Sequence, residues 1–228
     1  ITSKYGPEAI WPYHYAGTMG LVQRDSIDRL SHALGYSRQK STICTTLADA
    51  GYTAGAGLKR GIDPREMKYS SLIVVWGGNP VHTQINVMNH INKARNNNKS
   101  KLIVVDPYQT ATAQKADLHL MLKPGTDGAL ACAVMHCLFR DGYADWDYLN
   151  KYTDDPCGLE KHLQTRTPAW ASNITGLTEA DIETFAQWYG ANPQSFIRLG
   201  YGFSRSRNGA FNMHAASCLP AVTGAWKH

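Results

Sequence analysis

A chain of 228 residues, 43% of them apolar, can bury a core in one large domain or two small ones. Its formal net charge of +5 suits an anionic ligand, but the basic residues are scattered and the cluster from Lys93 to Lys101 is diluted by three asparagines, which argues against a nucleic-acid footprint. No run approaches the ~20 apolar residues that cross a bilayer, so direct membrane insertion is not expected either.

In chain order, Ala9 to Tyr15 alternates large apolar and polar groups and reads as a strand, followed by a turn-prone loop at Ala16–Gly20. Asp25 is placed as the N-cap of a helix with Ile27, Leu30, Ala33 and Leu34 on one face, stopped by Gly35. Lys40 to Ile43 is short and extended. Cys44 opens a small-residue stretch to Gly51 whose composition allows a closely packed helix. Asp63-Pro64 starts a brief helix. The β-branched run Ser71–Trp76 is a buried strand ending in Gly77-Gly78-Asn79-Pro80, and a helix over His82–Asn97 follows with Ile85, Met88, Ile91 and Ala94 inward. Lys101–Val105 is a second strand, ending in Asp106-Pro107. Leu118–Leu122 is a third, ending in Lys123-Pro124-Gly125-Thr126-Asp127. The next helix opens at Asp127, buries Leu130, Ala131, Val134, Met135 and Leu138, and ends at Gly142. Asp145–Tyr152 is a short amphipathic helix, and 153–177 reads as irregular with one or two short helices. A capping-box-like Thr178-Glu179-Ala180-Asp181 then starts a helix running to about Tyr189. Ser195–Leu199 is one more strand, closed by Gly200-Tyr201-Gly202. Asn208–Thr223 is the last helix, with Met213, Ala216 and Leu219 on one side.

Buried strands closed by Gly, Pro, Asn or Asp loops and mostly followed by helices predict an α/β fold with a parallel, Rossmann-like sheet. Ligands bind such sheets outside the carboxyl ends of the strands, so the three loops are expected side by side as a polar rim for a nucleotide-like ligand. Gly77-Gly78-Asn79-Pro80 is either a ligand loop before a helix N-terminus or an ordinary strand-to-helix turn. Asp106 either accepts from a ribose or guanine edge or caps its own turn; for Asp127 the helix cap is favoured.

Of five cysteines, Cys44, Cys132, Cys137, Cys157 and Cys218, none forms CxxC, so neither a zinc site nor a disulfide framework is indicated. Cys132, Cys137 and Cys218 read as small buried hydrophobes. Cys44 lies where a polar segment turns helix-like, a position that favours thiolate and soft-metal ligation, against the inert role of most lone cysteines. His82, His90, His119 and His136 read as surface or packed residues. No GxSxG elbow is present.

Taken together, Thr42-Ile43-Cys44, Val75–Pro80, Val105–Ala113 with Ala116-Asp117, Pro124–Asp127, Gly200-Tyr201-Gly202 through Arg205, Asn208-Gly209 and the opening Tyr5–Ile10 resemble, in order and spacing, the molybdopterin oxidoreductases of the DMSO-reductase superfamily. The resemblance implies a molybdenum (or tungsten) bis-(molybdopterin guanine dinucleotide) cofactor and two-electron redox or oxo transfer on a small-molecule substrate. By position, Cys44 is the metal ligand. A guanosine diphosphate tail is held by the loop with Trp76, Gly77, Gly78, Asn79, Pro80, His82 and Thr83, by Asp106, Pro107 and Thr110, and by Gly125, Thr126 and Asp127. Met19, Gly202 and Arg205 fall at further pterin contacts. The resemblance assigns 1–50 plus 200–228 to the first pterin-binding domain and 51–199 to a Rossmann-like domain for the guanosine diphosphate tail.

The family's Asp-Pro-Arg reads Asp106-Pro107-Tyr108 here, and Thr45 rather than His follows Cys44, which argues against formate as substrate. A cysteine ligand points toward the thiosulfate, polysulfide and nitrate branches. The chain opens on Ile1 and closes on Lys227-His228, and both ends are expected to be cuts within a longer enzyme. A 4Fe-4S module and electron-transfer subunits are then expected in the parent, the 228-residue chain alone is expected to be inactive, and the cytoplasm is favoured over the periplasm. Two alternatives stand beside this: a metal-free electron-transfer scaffold like the large iron–sulfur subunit of NADH dehydrogenase, and a simple mononucleotide-binding module.

Overall fold

The β-branched runs form a four-stranded parallel sheet, β1 (Leu72–Trp76), β2 (Lys101–Val105), β3 (Leu118–Leu120) and β4 (Ser195–Leu199), in the order β3-β2-β1-β4. The computed structural model describes residues 1–14, 25–39 and 45–228, in two compact units, Ile1–Cys44 and Thr45–His228. The sheet and both its helical layers belong to the second.

Alternate residues of a strand face opposite sides. Leu72, Val74, Trp76, Ile103 and Val105 pack on one face beneath α3 (Thr46–Ala56), α6 (Asp127–Arg140), α10 (Glu179–Gly190) and α11 (Gly209–Val222). Ile73, Val75, Leu102 and Val104 pack on the other against α5 (Ile85–Asn98) and Met67. A sheet covered on both faces demands unbroken apolar runs rather than alternation, which is why β1 and β2 were legible. Residues 200–228 belong to this larger unit, with α11 packed on both α3 and α6.

Local chemistry sets the element ends. The Asp63 carboxylate accepts from Arg65 N (2.9 Å), opening a 3-10 turn over Pro64–Tyr69 rather than an α-helix. The helix expected from His82 breaks at Gln84 (φ −148°, ψ 61°) into α4 (Pro80–Thr83) and α5. The break rotates the buried stripe, so Ile85 is 66% exposed and Val87 joins Met88, Ile91 and Ala94 inside. β3 ends at Leu120, two residues early, although Leu122 is still buried. After α7 (Trp146–Tyr152), the region 153–177 holds two capped helices, α8 (Pro156–Leu163), where Asp155 accepts from Gly158 N, and α9 (Pro168–Thr175), where Thr167 accepts from Trp170 N. Thr178 caps α10 by accepting from Asp181 N.

In the smaller unit, α1 (Thr2–Tyr5) is followed by a 3-10 turn at Pro7–Ala9, and no strand forms over residues 10–14. Pro12 offers no N–H to a ladder, and Trp11 and Tyr13 are exposed, edge to face with each other at 6.0 Å. α2 (Ser26–Leu34) ends on a left-handed Gly35 as expected. Asp25 stands at its start with φ 61° and makes no side-chain cap; Leu30 and Leu34 are exposed. The loop at 16–20 and the extended stretch 40–43 lie outside the described residues.

Candidate functional site

The strand order runs outward from β1 to β2 and β3, then reverses to place β4 on β1's other side. The connection from β1 to β2 carries α5 over one face, while the connection from β3 to β4 carries α6 and α10 over the other. The carboxyl ends of β1 and β4 therefore flank a topological switch point, the crevice where open α/β sheets hold ligands.

The lips of that crevice are sewn together by backbone. Gly200 N donates to Trp76 O (2.7 Å), Gly202 N to Gly77 O (3.2 Å) and Gly77 N to Val105 O (2.9 Å). A Cβ on Gly200 would collide with the Gly77 carbonyl, and one on Gly77 would lie 2.9 Å from Phe203 N. These glycines thus serve the approach of the chain to itself. Gly78 is different: a Cβ there meets only Gly200 Cα at 3.8 Å, so its backbone is open to the space outside.

Two depressions meet here. A cleft of ≈130 Å³ lies among Gly77, Pro107, Gly125, Asp127, Gly202 and Arg205, bringing the three predicted loops together with the segment after β4. A larger cavity of ≈1030 Å³ runs along β4 and is walled by Gly77, Gly78, Asn79, Pro80, Thr83 and Arg205, among others. Gly77 and Arg205 belong to both. Among the described residues the larger cavity also presents Lys59, Arg60 and Arg198 against the carboxylates of Asp49 and Glu66, a net positive wall.

Other predicted residues lie in the frame. Trp76 is fully buried at the end of β1, against Phe185 and Phe203, and its indole N–H donates to Asp127 Oδ1 (2.8 Å). Asp127 is therefore not the cap of α6, a position held by Thr126; it is a buried acceptor, 4% exposed. Burial pushes its carboxyl up to about 6, with the Trp76 hydrogen bond pulling the other way. Asp106, also buried, is raised by desolvation; its carboxylate accepts from Tyr108 N (3.3 Å), and its carbonyl meets His119 Nε2 at 3.1 Å. Thr110 is buried and accepts from Ala113 N (3.0 Å). His82 and Thr83 are exposed on α4, and Thr83 Oγ1 donates to Asn79 O (3.0 Å). Met19 and Cys44 lie outside the described residues.

The expected anion site at a helix N-terminus after β1 takes another form. α4 is four residues long, its Val81 N–H is accepted by Thr112 Oγ1 (3.2 Å), and Thr112 donates to Asn79 Oδ1 (2.7 Å). Charge comes instead from Arg198 on β4, which pattern reading passed over. Its Nη2 donates to Gln84 Oε1 (3.0 Å) and its Nη1 to Leu199 O (2.8 Å), while Nε is buried without a partner. A basic residue set between Ile197 and Leu199 within a strand was the visible signal. Among the described residues no group of three or more His, Cys, Asp or Glu could hold a metal ion. A pterin dithiolene cofactor asks less of the protein, namely length, positive charge and open backbone for its tail, and the cavity wall fits those needs.

The family description "Molybdopterin oxidoreductase" matches residues 17–228. A probable oxidoreductase, YoaE, of Bacillus subtilis is 37% identical across this whole chain and 34% of its own length. The dimethyl sulfoxide reductase DmsA of Haemophilus influenzae is 29% identical over 97% of the chain and 32% of its own length. Formate dehydrogenase H of Escherichia coli is 26% identical over 98% of the chain and 32% of its own. The chain thus spans about a third of the length of these relatives. Acetylene hydratase from Pelobacter acetylenicus shares the fold, with a TM-score of 0.77 at 20% identity over 98% of this chain and 30% of that one. With the parallel sheet, the ordered loops and a family match over nearly its whole length, the chain belongs to the molybdopterin oxidoreductases of the DMSO-reductase superfamily.

Proposed function

We propose that this chain holds the guanosine diphosphate tail of a molybdopterin guanine dinucleotide, within an oxidoreductase that moves two electrons or an oxygen atom to or from a small substrate. The observation that carries the reading is the pair Gly77 and Arg205, shared by the small cleft and the large cavity at the switch point. A ligand with two ends, base and diphosphate, can occupy both. Gly78 offers open backbone, and Arg198 with Lys59 and Arg60 supplies charge for a diphosphate. Asp106 and Asp127 lie near the cleft and turn toward protein donors.

When bound, the cofactor would supply the redox chemistry; the chain's own part is to bind, orient and exclude water. Cys44 is proposed as the metal ligand and Met19 as a pterin contact, both from family position. A thiol ligand favours the thiosulfate, polysulfide and nitrate branch, although relatives are also named for dimethyl sulfoxide and formate. A 4Fe-4S cluster and electron-transfer subunits are proposed for the longer protein, because two-electron chemistry needs an electron partner.

Titration of the purified chain with GDP and with ATP tests the reading. GDP is expected to bind, and to bind more tightly than ATP; preference for ATP, or no binding of GDP, overturns it.

A further inference from the structure

α11 buries an apolar stripe, Met213, Ala216 and Leu219, and with it two polar residues, Ser217 and Asn212, of which Asn212 carries the larger polar group and is 1% exposed. A buried amide is costly unless its donors and acceptor are engaged, and asparagine is a poor helix residue. Here every group is used. Asn212 Oδ1 accepts from Gly128 N (3.0 Å), in the first turn of α6. Its Nδ2 faces Gly125 O and Phe203 O (both 3.4 Å) and Ser206 Oγ (3.5 Å). Asn208, one turn earlier, donates to Gly125 O (2.9 Å) and to Asn212 Oδ1 (3.1 Å), and Ser206 Oγ donates to Asn208 Oδ1 (3.0 Å).

These partners are not scattered. Gly125 and Asp127 form one lip of the ≈130 Å³ cleft, and Phe203, Arg205 and Ser206 form the other. The two lips come from loops nearly eighty residues apart in sequence, and no ladder hydrogen bond joins them. Their spacing is fixed from beneath by two side-chain amides, Asn208 and the buried Asn212, of which only Asn212 also holds Gly128 N and Phe203 O.

We propose that Asn212 is a positioning residue. It clasps the Pro124–Asp127 loop to the Gly202–Ser206 turn, sets the width of the cleft, and so sets its affinity for a guanosine diphosphate group. It touches no ligand itself. The proposal rests on the tail-binding reading above for the identity of the ligand, and on the hydrogen bonds for the clasp. An apolar residue at 212 would satisfy α11 but leave Gly128 N and the Phe203 carbonyl to find other partners, and leave Gly125 O to Asn208 alone.

The test uses the full chain, with GDP as probe and amide hydrogen exchange as a second readout. Asn212→Ala is expected to speed exchange at Gly125–Gly128 and at Phe203–Ser206 together, with β1 and β2 amides unchanged, and to weaken GDP binding by about tenfold. Gly128→Ala strikes the same clasp from the other side, since its methyl would lie 2.9 Å from Asn212 Oδ1, and is expected to act in the same direction. It carries the test should Asn212→Ala fail to fold. Thr223→Ala, at the far end of α11, controls for lost stability and is expected to leave both readouts alone. GDP affinities within about twofold of the parent in both clasp variants, or faster exchange at one lip only, overturn the proposal. Failure of the unaltered chain to bind GDP instead sinks the tail assignment, and with it the ligand half of the proposal; exchange still decides the clasp.

Discussion

The two sides of the switch-point crevice treat their polar groups in opposite ways. Around the small cleft they are already engaged with one another: Trp76 with Asp127, Asn212 with Gly128, and Gly202 with Gly77. Along the large cavity Gly78 is open, and the Nε of Arg198 is buried without a partner. A satisfied network is rigid and costly to break, whereas an unsatisfied donor beside an open space gains when a ligand arrives. The first side is therefore frame and the second is contact surface. Substitutions on the first should show in stability and reach ligand binding only through the width of the cleft, as at Asn212, and those on the second should show directly in ligand binding.

The largest effect is expected from Trp76→Ala. The indole fills the core between Phe185 and Phe203 and is the side-chain donor to Asp127. Emptying it should cost about 3–5 kcal/mol, the range for buried aromatic truncations. In a chain of this size that lowers Tm by about 10 °C. Urea and thermal unfolding measure it. A variant of near-parental stability that had lost GDP binding would move Trp76 from the frame to the contact surface.

Asp127→Asn should act with the opposite sign. In the folded chain the carboxyl titrates near 6, against an ordinary 3.8, so the folded state holds its proton more tightly than the unfolded one. This group's contribution is thus most favourable below the ordinary value and declines as pH rises toward 6, with its full cost present at neutrality. That cost is on the order of 3 kcal/mol. Asparagine keeps an acceptor for the Trp76 indole and carries no charge. The variant should be the more stable at neutral pH, and the gap should close toward about pH 4. Urea midpoints across that range decide it; a gap of constant size would mean that the carboxylate is not the source.

Much of this frame was readable in the sequence, and the unread parts share a cause. β1 and β2 announced themselves as unbroken apolar runs because both faces of the sheet are covered. Asp63 and Thr178 were visible as caps because capping is decided within three residues. Asp127 was read as a cap by the same local logic, but its partner is an indole 51 residues away. The glycines after β1 were read as either a ligand loop or an ordinary turn; Gly77 packs on a segment that returns only after β4 while lining both depressions, and Gly78 is open. The strand expected over Ala9–Tyr15 had the right alternation but contains Pro12. The break at Gln84 leaves no mark in residue type, whereas Asn212 did leave one, as a polar residue on a buried stripe one turn beyond Asn208. The order of the family motifs supplied what local patterns could not: that these distant loops meet around one cleft.

Arg198→Gln offers the smallest effect on the fold and the cleanest view of the contact surface. The side chain is half-buried at the edge of β4, and glutamine keeps much of its stem while removing the charge. The bonds lost, to Gln84 Oε1 and Leu199 O, are on a partly exposed edge, so stability should stay within about 1 kcal/mol of the parent. GDP affinity should fall about fivefold at low salt and less at high salt, because the lost term is charge on an anion. Guanosine, which has no phosphate, should bind both forms alike. Equal losses for GDP and guanosine would show that Arg198 acts on the base or on the shape of the wall, and a stability loss as large as that of Trp76→Ala would erase the division between frame and contact surface.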